Sequence, residues 1–308
     1  FIHLPKTGGT TMLTILNNNA RLPPHEDGAE HNGLIFFGMP PTPFTILDNI
    51  VHAGEDLRYL GGHMGWEDVQ IIQDYTPNLR FKPFTILREP KERLVSFWAY
   101  LNEIGNNHTL PQMMRGMLRN SMYRMLAPLG SDLKDTEATM ASIKKTLKKE
   151  FSVVGLTERF DETLMLLTQK GIIRDPSYSK HKVLAGSRPR YADLPEDIQK
   201  MLEKHNSLDL ELYAWAQEFF NEQIQSADSD FQQRLETFQE EQRSRQEQSG
   251  NDGDCEDDLP RFGGWSCEKE KRSERESPRE RIKKELEDMD RTEKVLYHVQ
   301  QMEKPRYW

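Results

Sequence analysis

The chain has 308 residues, a formal net charge of −9 and a mean hydropathy of −0.78. This length is enough for one α/β domain of roughly 200–250 residues plus a further segment. Residues 226–308 contain 22 acidic and 16 basic side chains, whereas residues 1–225 contain 28 acidic and 25 basic side chains. This composition excludes a nucleic-acid-binding protein that relies on an overall positive field, and no run of 18 apolar residues is present to span a membrane.

The first predicted elements are a strand, a glycine-containing turn and a helix. Residues 1–4 form a short apolar run that is typical of a buried strand, and residues 5–11 have the composition of a turn. The apolar spacing of residues 12–16 then indicates a helix. Residues 17–60 are rich in Asn, Pro and Gly, so we expect irregular structure there.

Two further strand–helix pairs are predicted along the chain. Strands are expected over 84–87 and 151–156, and helices from Pro90, over 136–149, over 161–169 and from Asn206 or Ser207. Pro90 suits the first turn of a helix, and either Asn206 or Ser207 can cap the last one. Strands that alternate with helices favour an α/β fold in which helices flank a central parallel sheet.

The charge-dense end of the chain is predicted to be separate from the globular domain. Residues 226–308 are rich in Gln, Glu, Arg and Lys, and such a segment cannot bury enough apolar surface to offset chain entropy. We therefore expect one catalytic domain over 1–225 and a tail over 226–308 that is partly helical or disordered. Both cysteines, Cys255 and Cys267, lie in this tail, so the core does not depend on disulfides. Whether these two pair is left open.

The turn after the first strand carries the chemistry of a phosphate-binding loop. Two glycines allow close approach of a ligand, and the amides of the turn and of the helix N-terminus point toward an anion. A tight glycine turn with an exposed lysine is the alternative interpretation. The lysine precedes the glycines, unlike in a Walker A loop, which disfavours an ATP- or GTP-hydrolysing motor. The predicted phosphate-binding residues are Pro5, Lys6, Thr7, Gly8, Gly9, Thr10 and Thr11.

The stretch HLPKTGGTT at residues 3–11 resembles the 5′-phosphosulfate-binding loop of the Golgi carbohydrate sulfotransferases, and of the heparan sulfate 6-O-sulfotransferases in particular. The resemblance continues in order along residues 1–225, and it implies a P-loop-like sulfotransferase fold. The chain lacks the cysteine-rich insertions of the 6-O enzymes, in regions that shape the family's acceptor cleft. The other matching stretches are GHMGWE (62–67), LREPKERLVS (87–96), NSMYRML (120–126), VGLTE (154–158) and LDLELY (208–213).

The resemblance implies 3′-phosphoadenosine 5′-phosphosulfate as the sulfuryl donor and no metal. The loop would bind the 5′-phosphosulfate, and Lys6 would support the departing phosphate electrostatically. Arg88 offers a planar fork that matches a phosphate, and with Ser96 it would bind the 3′-phosphate. His63 would act as general base on the acceptor hydroxyl, since an ordinary histidine pKa suits that task near neutral pH.

A second basic cluster lies further along the chain. Its position resembles the family loop that closes over the donor's nucleotide, and this resemblance implies that Ser187 and Arg188 contact the 3′-phosphate or its surroundings. The expected acceptor is an anionic polysaccharide or oligosaccharide, and a net-acidic protein would need a local basic strip of this kind to bind it. A solvated basic loop is the alternative interpretation. The predicted acceptor-binding residues are Trp66, Lys180, Lys182 and Arg190.

The resemblance also implies the luminal side of the Golgi membrane, with an anchor upstream of this chain. The glycosylation pattern at Asn107 is compatible with a secretory route. Two other functions are considered: a P-loop-type small-molecule kinase, and a glycan-binding protein of the same fold without catalysis. No nucleic acid partner is expected.

Overall fold

Four short parallel strands form two hydrogen-bonded pairs. The computed structural model describes residues 1–21, 32–38, 40–103, 109–114, 119–179 and 190–248. Strand β1 pairs with β2, and β3 pairs with β4. The strands are β1 (Leu34–Phe37), β2 (Tyr59–Gly62), β3 (Phe84–Leu87) and β4 (Val153–Leu156).

The N-terminal segment joins the two pairs into one sheet. Ile2 bridges in parallel to Gly62 of β2 on one side and to Thr85 of β3 on the other. The Ile2 amide donates to the Phe84 carbonyl at 3.0 Å, and the His3 amide donates to the Gly62 carbonyl at 2.9 Å. The order across the sheet is therefore β1, β2, the N-terminal segment, β3 and β4. The predicted α/β class with parallel strands is confirmed, although only Ile2 of residues 1–4 makes the bridges of a strand.

Helices pack against this sheet. The helices predicted after the loop, from Pro90, over 136–149, over 161–169 and from residue 206 or 207 are all present. Short 3₁₀ turns cover Gly54–Asp56, Thr157–Arg159 and Tyr191–Asp193. None of the helices in the described ranges is long and apolar enough to cross a membrane. The helices are α1 (Gly9–Asn19), α2 (Pro43–Ala53), α3 (Trp66–Tyr75), α4 (Pro90–Glu103), α5 (Leu110–Met114), α6 (Ser121–Leu126), α7 (Thr136–Glu150), α8 (Phe160–Gln169), α9 (Glu196–His205), α10 (Ser207–Gln225) and α11 (Phe231–Gln248).

The expectation of irregular structure over residues 17–60 is wrong for β1, α2 and the start of β2. Strand β1 is a short apolar run, LIFF, of which only the first residue is buried, and it lies in a stretch whose Asn, Pro and Gly content favoured irregular structure. Strand β2 ends in two glycines, which weaken a strand signal. By contrast, every residue of β3 and β4 is buried, as in the centre of a parallel sheet.

Helices α6 and α10 cap each other. The Asn120 side-chain oxygen accepts hydrogen bonds from the amides of Leu208 (3.1 Å) and Asp209 (3.3 Å) at the start of α10. In return, the Asp209 carboxylate accepts from the amides of Met122 (3.2 Å) and Tyr123 (2.8 Å) at the start of α6. Each helix therefore satisfies amides that the other leaves without an intrahelical partner.

The predicted capping of α10 by Asn206 or Ser207 is wrong. Asn206 occupies the N-cap position of α10, but its side chain makes no capping hydrogen bond. The Asn206 side chain instead donates to the Leu202 carbonyl at 3.0 Å and accepts from the Asn120 amide at 3.2 Å. It is occupied by the preceding turn, and Asn120 supplies the cap from a distant part of the sequence.

Helix α11 lies within the predicted tail and packs on α8. Phe231, Leu235 and Phe238 of α11 are buried in the same hydrophobic cluster as the sheet. The Phe238 ring lies 6.5 Å from the Tyr178 ring, measured between centroids. Residues 249–308, which include Cys255 and Cys267, lie outside the described residues.

Replacing Phe238 with alanine tests whether α11 is part of the core. We expect Phe238→Ala to lower the free energy of unfolding by about 3 kcal/mol, the cost of removing a buried aromatic side chain. Glu240→Ala changes an exposed side chain of the same helix and should stay within about 0.5 kcal/mol of the wild type. Urea unfolding measures both variants, and equal stabilities would contradict the packing of α11.

Candidate active site

The predicted phosphate loop follows the central segment of the sheet and leads into α1. The backbone turns through left-handed conformations at Lys6 (φ 67°) and Gly8 (φ 84°), of which only the glycine adopts such a φ without strain. Thr7 is fully buried, and its hydroxyl donates to the Leu4 carbonyl at 2.8 Å. The Thr7 hydroxyl therefore holds the turn, which leaves the amides at the N-terminus of α1 as the donors for an anion.

The second glycine of the loop is required by a close contact. A Cβ atom added to Gly9 would lie 1.7 Å from Nε2 of His3, so no other residue fits beneath that ring. Gly8 has room for a Cβ, which would lie 3.6 Å from the Phe160 ring. The two glycines thus meet different demands, one for backbone conformation and one for space.

Lys6 and Arg88 lie side by side. The Arg88 guanidinium donates from Nη1 to the Lys6 carbonyl at 3.1 Å. The Lys6 ammonium lies 4.3 Å from the centre of the Tyr100 ring on α4, within range of a cation–π interaction. Arg88 directly follows β3 and Lys6 follows the neighbouring central segment, so the two predicted phosphate-binding groups meet at one edge of the sheet.

Ser96 lies on the face of α4 that is turned toward the loop. Arg93, Ser96 and Tyr100 are spaced three and four residues apart, which places them on one helix face. Arg93 Nη1 lies 3.5 Å from the Pro5 carbonyl, and Tyr100 contacts Lys6, so both neighbours of Ser96 on this face contact the loop. The Ser96 side chain is itself buried.

Arg93 is a residue that sequence reasoning did not single out. It is 1% exposed, and its Nη2 donates to the Ser121 hydroxyl at 2.7 Å and to the Asp209 carboxylate at 3.3 Å. Burial raises the pKa of Asp209, and the charge of Arg93 opposes that rise. Its place within the matching stretch 87–96 was the available signal, since Arg93 lies three residues before Ser96 and therefore on the same face of α4.

The other matching stretches hold the turn at Arg88 in place. The Glu158 carboxylate accepts from the Glu89 amide at 2.9 Å and from the Tyr213 hydroxyl at 2.7 Å. The Thr157 hydroxyl donates to the Leu87 carbonyl at 3.1 Å. Stretches 154–158 and 208–213 therefore support the segment that carries Arg88.

His63 directly follows β2 at the same edge of the sheet. Its Nδ1 lies 3.0 Å from the His3 carbonyl oxygen. A carbonyl only accepts hydrogen bonds, so Nδ1 carries the proton and Nε2 keeps a lone pair that can accept another. Burial lowers the pKa of His63, and the hydrogen bond to the His3 carbonyl partly offsets this effect. The His63 ring is thus neutral near pH 7, in the tautomer that a general base acting through Nε2 requires.

Trp66 does not take the predicted acceptor-binding role. It is the first residue of α3, its side chain is 2% exposed, and its ring packs on Phe151 at 4.9 Å between centroids. The start of the helix turns this side chain into the core, three residues after His63. The prediction for Trp66 is therefore corrected to a packing role.

Of the predicted basic cluster, only Arg190 lies within the described residues. Lys180, Lys182, Ser187 and Arg188 lie outside the described residues. Arg190 is exposed, and its amide donates to the Asp193 carboxylate at 3.0 Å. The next residue, Tyr191, donates its amide to Glu92 in the first turn of α4. Arg190 therefore lies near the start of the helix that follows Arg88.

A groove of about 450 Å³ lies away from this site. It is lined by Trp98, Leu110, Leu194 and Ile198, among others. Trp98 lies on a different face of α4 from Arg93, Ser96 and Tyr100. The groove belongs to the smaller hydrophobic cluster around α4, α5 and α9, and we do not assign it to the candidate site. Within the described ranges, no group of three or more His, Cys, Asp or Glu side chains could hold a metal ion.

Comparison with known proteins confirms the resemblance to the carbohydrate sulfotransferases. The chain is 26% identical over 244 residues to galactose-3-O-sulfotransferase 3 of Mus musculus, an alignment that covers 69% of this chain and 54% of the relative. It is 26% identical over 274 residues to heparan-sulfate 6-O-sulfotransferase 3-B of Danio rerio, covering 73% of this chain and 64% of the relative. No protein-family model matches the chain.

Both kinds of relative are carbohydrate sulfotransferases, and they differ in the acceptor that their names give. The chain spans about half the length of the galactose-3-O-sulfotransferases that it matches. The two kinds of relative match at the same identity, so the comparisons do not favour the 6-O position over the 3-O position of galactose.

Replacing Asp209 with asparagine tests the buried ion pair beneath the loop. We expect Asp209→Asn to lower the free energy of unfolding by about 3–5 kcal/mol, because it leaves the Arg93 guanidinium buried without its counter-charge. Glu211→Gln is the matched control, since Glu211 lies two residues further along α10 in an exposed ion pair with Lys144 and should cost less than about 1 kcal/mol. Similar losses in the two variants, measured by urea unfolding, would contradict this account.

Proposed function

We propose that this chain is a sulfotransferase domain that moves a sulfuryl group from 3′-phosphoadenosine 5′-phosphosulfate to a hydroxyl of a glycan. One juxtaposition carries the proposal: Lys6, His63 and Arg88 follow the N-terminal segment, β2 and β3, which are neighbours in the sheet, at the same edge. The Arg88 contact to the Lys6 carbonyl (3.1 Å) and the His63 contact to the His3 carbonyl (3.0 Å) link the three residues to one loop.

The loop and Arg88 would bind the two charged ends of the donor. The amides of residues 7–11 and the hydroxyls of Thr10 and Thr11 suit the 5′-phosphosulfate, because Thr10 is exposed and Thr11 is half-buried. Arg88 and Ser96 would hold the 3′-phosphate, with Ser187 and Arg188 as further candidates. The close contact of Arg88 with the loop supports this assignment, since one small nucleotide must reach both groups.

His63 and Lys6 would divide the chemistry between them. His63 Nε2 takes the proton of the acceptor hydroxyl as that oxygen forms a bond to sulfur. The bond from sulfur to the bridging oxygen breaks, and its electron pair leaves with adenosine 3′,5′-bisphosphate. The Lys6 ammonium stabilises the negative charge that grows on the departing phosphate, and His63 later releases its proton to solvent.

Within this class we favour a heparan sulfate-like acceptor and its 6-O position. The support is the segment GHMGWE at 62–67, which resembles the 6-O enzymes around His63, and a galactoside is the competing acceptor. An anionic acceptor would contact the basic strip of Lys180, Lys182 and Arg190. We also propose residence in the Golgi lumen, where such acceptors are modified.

The test of this proposal is an assay with ³⁵S-labelled donor. The chain is incubated with a panel of desulfated glycosaminoglycans and galactosides, and the labelled products are identified by disaccharide analysis. We expect label in at least one glycan, and a heparan sulfate backbone labelled at the 6-O position if the favoured acceptor is right. Label only in galactosides would retain the class and change the acceptor. Magnesium-dependent transfer from labelled ATP instead would support the kinase alternative.

Replacing His63 with alanine separates proton acceptance from donor binding. We expect His63→Ala to lower kcat by about 10²–10⁴-fold, the usual contribution of a general base, while adenosine 3′,5′-bisphosphate binds as in the wild type. His52→Ala, which changes an exposed histidine on α2, should leave both quantities unchanged. Calorimetric titration with the nucleotide and initial rates measure the two effects, and unchanged turnover in His63→Ala would contradict the assigned role.

The pH dependence of kcat/KM follows from the lowered pKa of His63. The neutral ring is the active form, so activity is lost as pH falls through this pKa, which lies below the ordinary value of 6.5. We therefore expect more than half of the plateau kcat/KM to remain at pH 6.5, because an unshifted histidine would retain only half. A profile of initial rates from pH 5 to 8 measures this limb, and a midpoint above 6.5 would contradict the burial of His63.

A further inference from the structure

We propose that His3 is a positioning residue that sets the distance between the phosphate loop and the general base His63. The inference rests on the proposed function, and it adds a residue to which the motifs assigned no role. Its basis is that the His3 ring fills the space between Gly9 of the loop and the His63 ring.

The His3 ring contacts both partners closely. Its Nε2 would lie only 1.7 Å from a Cβ placed on Gly9, so the ring edge rests directly on the loop backbone. Its face stacks on the His63 ring, with centroids 4.3 Å apart and an angle of 24° between the planes. The His3 ring therefore contacts both the start of α1 and the candidate base.

The same residue also orients His63 through its main chain. The His3 carbonyl accepts from Nδ1 of His63 at 3.0 Å, while the His3 amide is bound to the Gly62 carbonyl of β2. The sheet thus fixes the main chain of His3. The carbonyl then determines which His63 nitrogen carries the proton, and the ring determines where His63 lies above the loop.

Aromatic neighbours hold the His3 ring in this position. Phe1 stacks on it at 5.5 Å between centroids, and Phe36 of β1 lies tilted at 5.8 Å. Nδ1 of His3 is buried and makes no hydrogen bond in the structure. The ring therefore has packing contacts on several sides and no polar anchor at this nitrogen, as expected for a side chain that acts by shape.

A neutral ring at this position favours proton acceptance by His63. Burial lowers the pKa of His3 well below the usual range. The titratable groups that face it, His63 and Lys6, lower it further. His3 therefore places no positive charge beside His63 when His63 accepts a proton.

The experiment compares His3→Ala with His3→Gln, because glutamine keeps a flat, neutral group near the position of Nε2 and alanine removes it. In His3→Ala we expect kcat to fall by about 100-fold through misplacement of the base, with KM for the acceptor and nucleotide affinity changed less than about threefold. His3→Gln should recover most of this loss. In NMR titrations, the pKa of His63 should rise toward 6.5 in His3→Ala as water enters, and stay near the wild-type value in His3→Gln.

Thermal unfolding and nucleotide titration check that each variant is folded. Unchanged kcat and an unchanged His63 pKa in His3→Ala would overturn the proposal. So would a folded His3→Gln that is as impaired as His3→Ala, because the imidazole itself would then be required. The NMR titration needs no substrate, so it still tests the positioning of His63 if the wild-type chain proves to have no sulfotransferase activity. If His3→Ala does not fold, the comparison of His3→Gln with the wild type decides the outcome.

Discussion

The buried ion pair between Arg93 and Asp209 is the interaction on which the site depends. Two charges that are almost fully buried cost several kcal/mol each in lost hydration, and they are tolerated only when further hydrogen bonds surround them. Here the amides of Met122 and Tyr123 and the Ser121 hydroxyl supply those bonds. Because Arg93 also reaches the Pro5 carbonyl, the pair locks α4, α6 and α10 to the loop.

The parallel order of the sheet explains why the candidate residues lie close together although they are distant in sequence. In a parallel sheet the carboxyl ends of neighbouring strands meet at one edge, where ligands of α/β proteins commonly bind. Lys6, His63 and Arg88 follow the central segment, β2 and β3, which are adjacent in the sheet. In the proposed function, the loop would supply amides and a lysine, β2 would supply the base, and β3 would supply a guanidinium, so anion binding and proton transfer would share one edge.

Elements with strong local signals could be predicted from the sequence, whereas features that depend on contacts between distant residues could not. Strands β3 and β4 are continuous apolar runs, and Pro90 marks the start of α4, so local pattern located all three. The cap of α10 comes from Asn120, some 90 residues away, and no local pattern identifies it. The acceptor-binding prediction for Trp66 failed because its position three residues after the candidate base does not reveal that α3 begins there and turns its side chain into the core.

The two loop glycines are required for different reasons, Gly8 by its own backbone conformation and Gly9 by contact with another residue. Gly8 is fixed by its φ, so a side chain there would strain the turn and disturb the amides that face the anion. Gly9 is fixed by the ring above it, so a side chain there would displace His3, and with it the carbonyl that orients His63. A change at Gly8 therefore acts first on anion binding, and a change at Gly9 acts first on the base. Adjacent residues of one loop thus set the geometry of the proposed phosphate site and the orientation of His63.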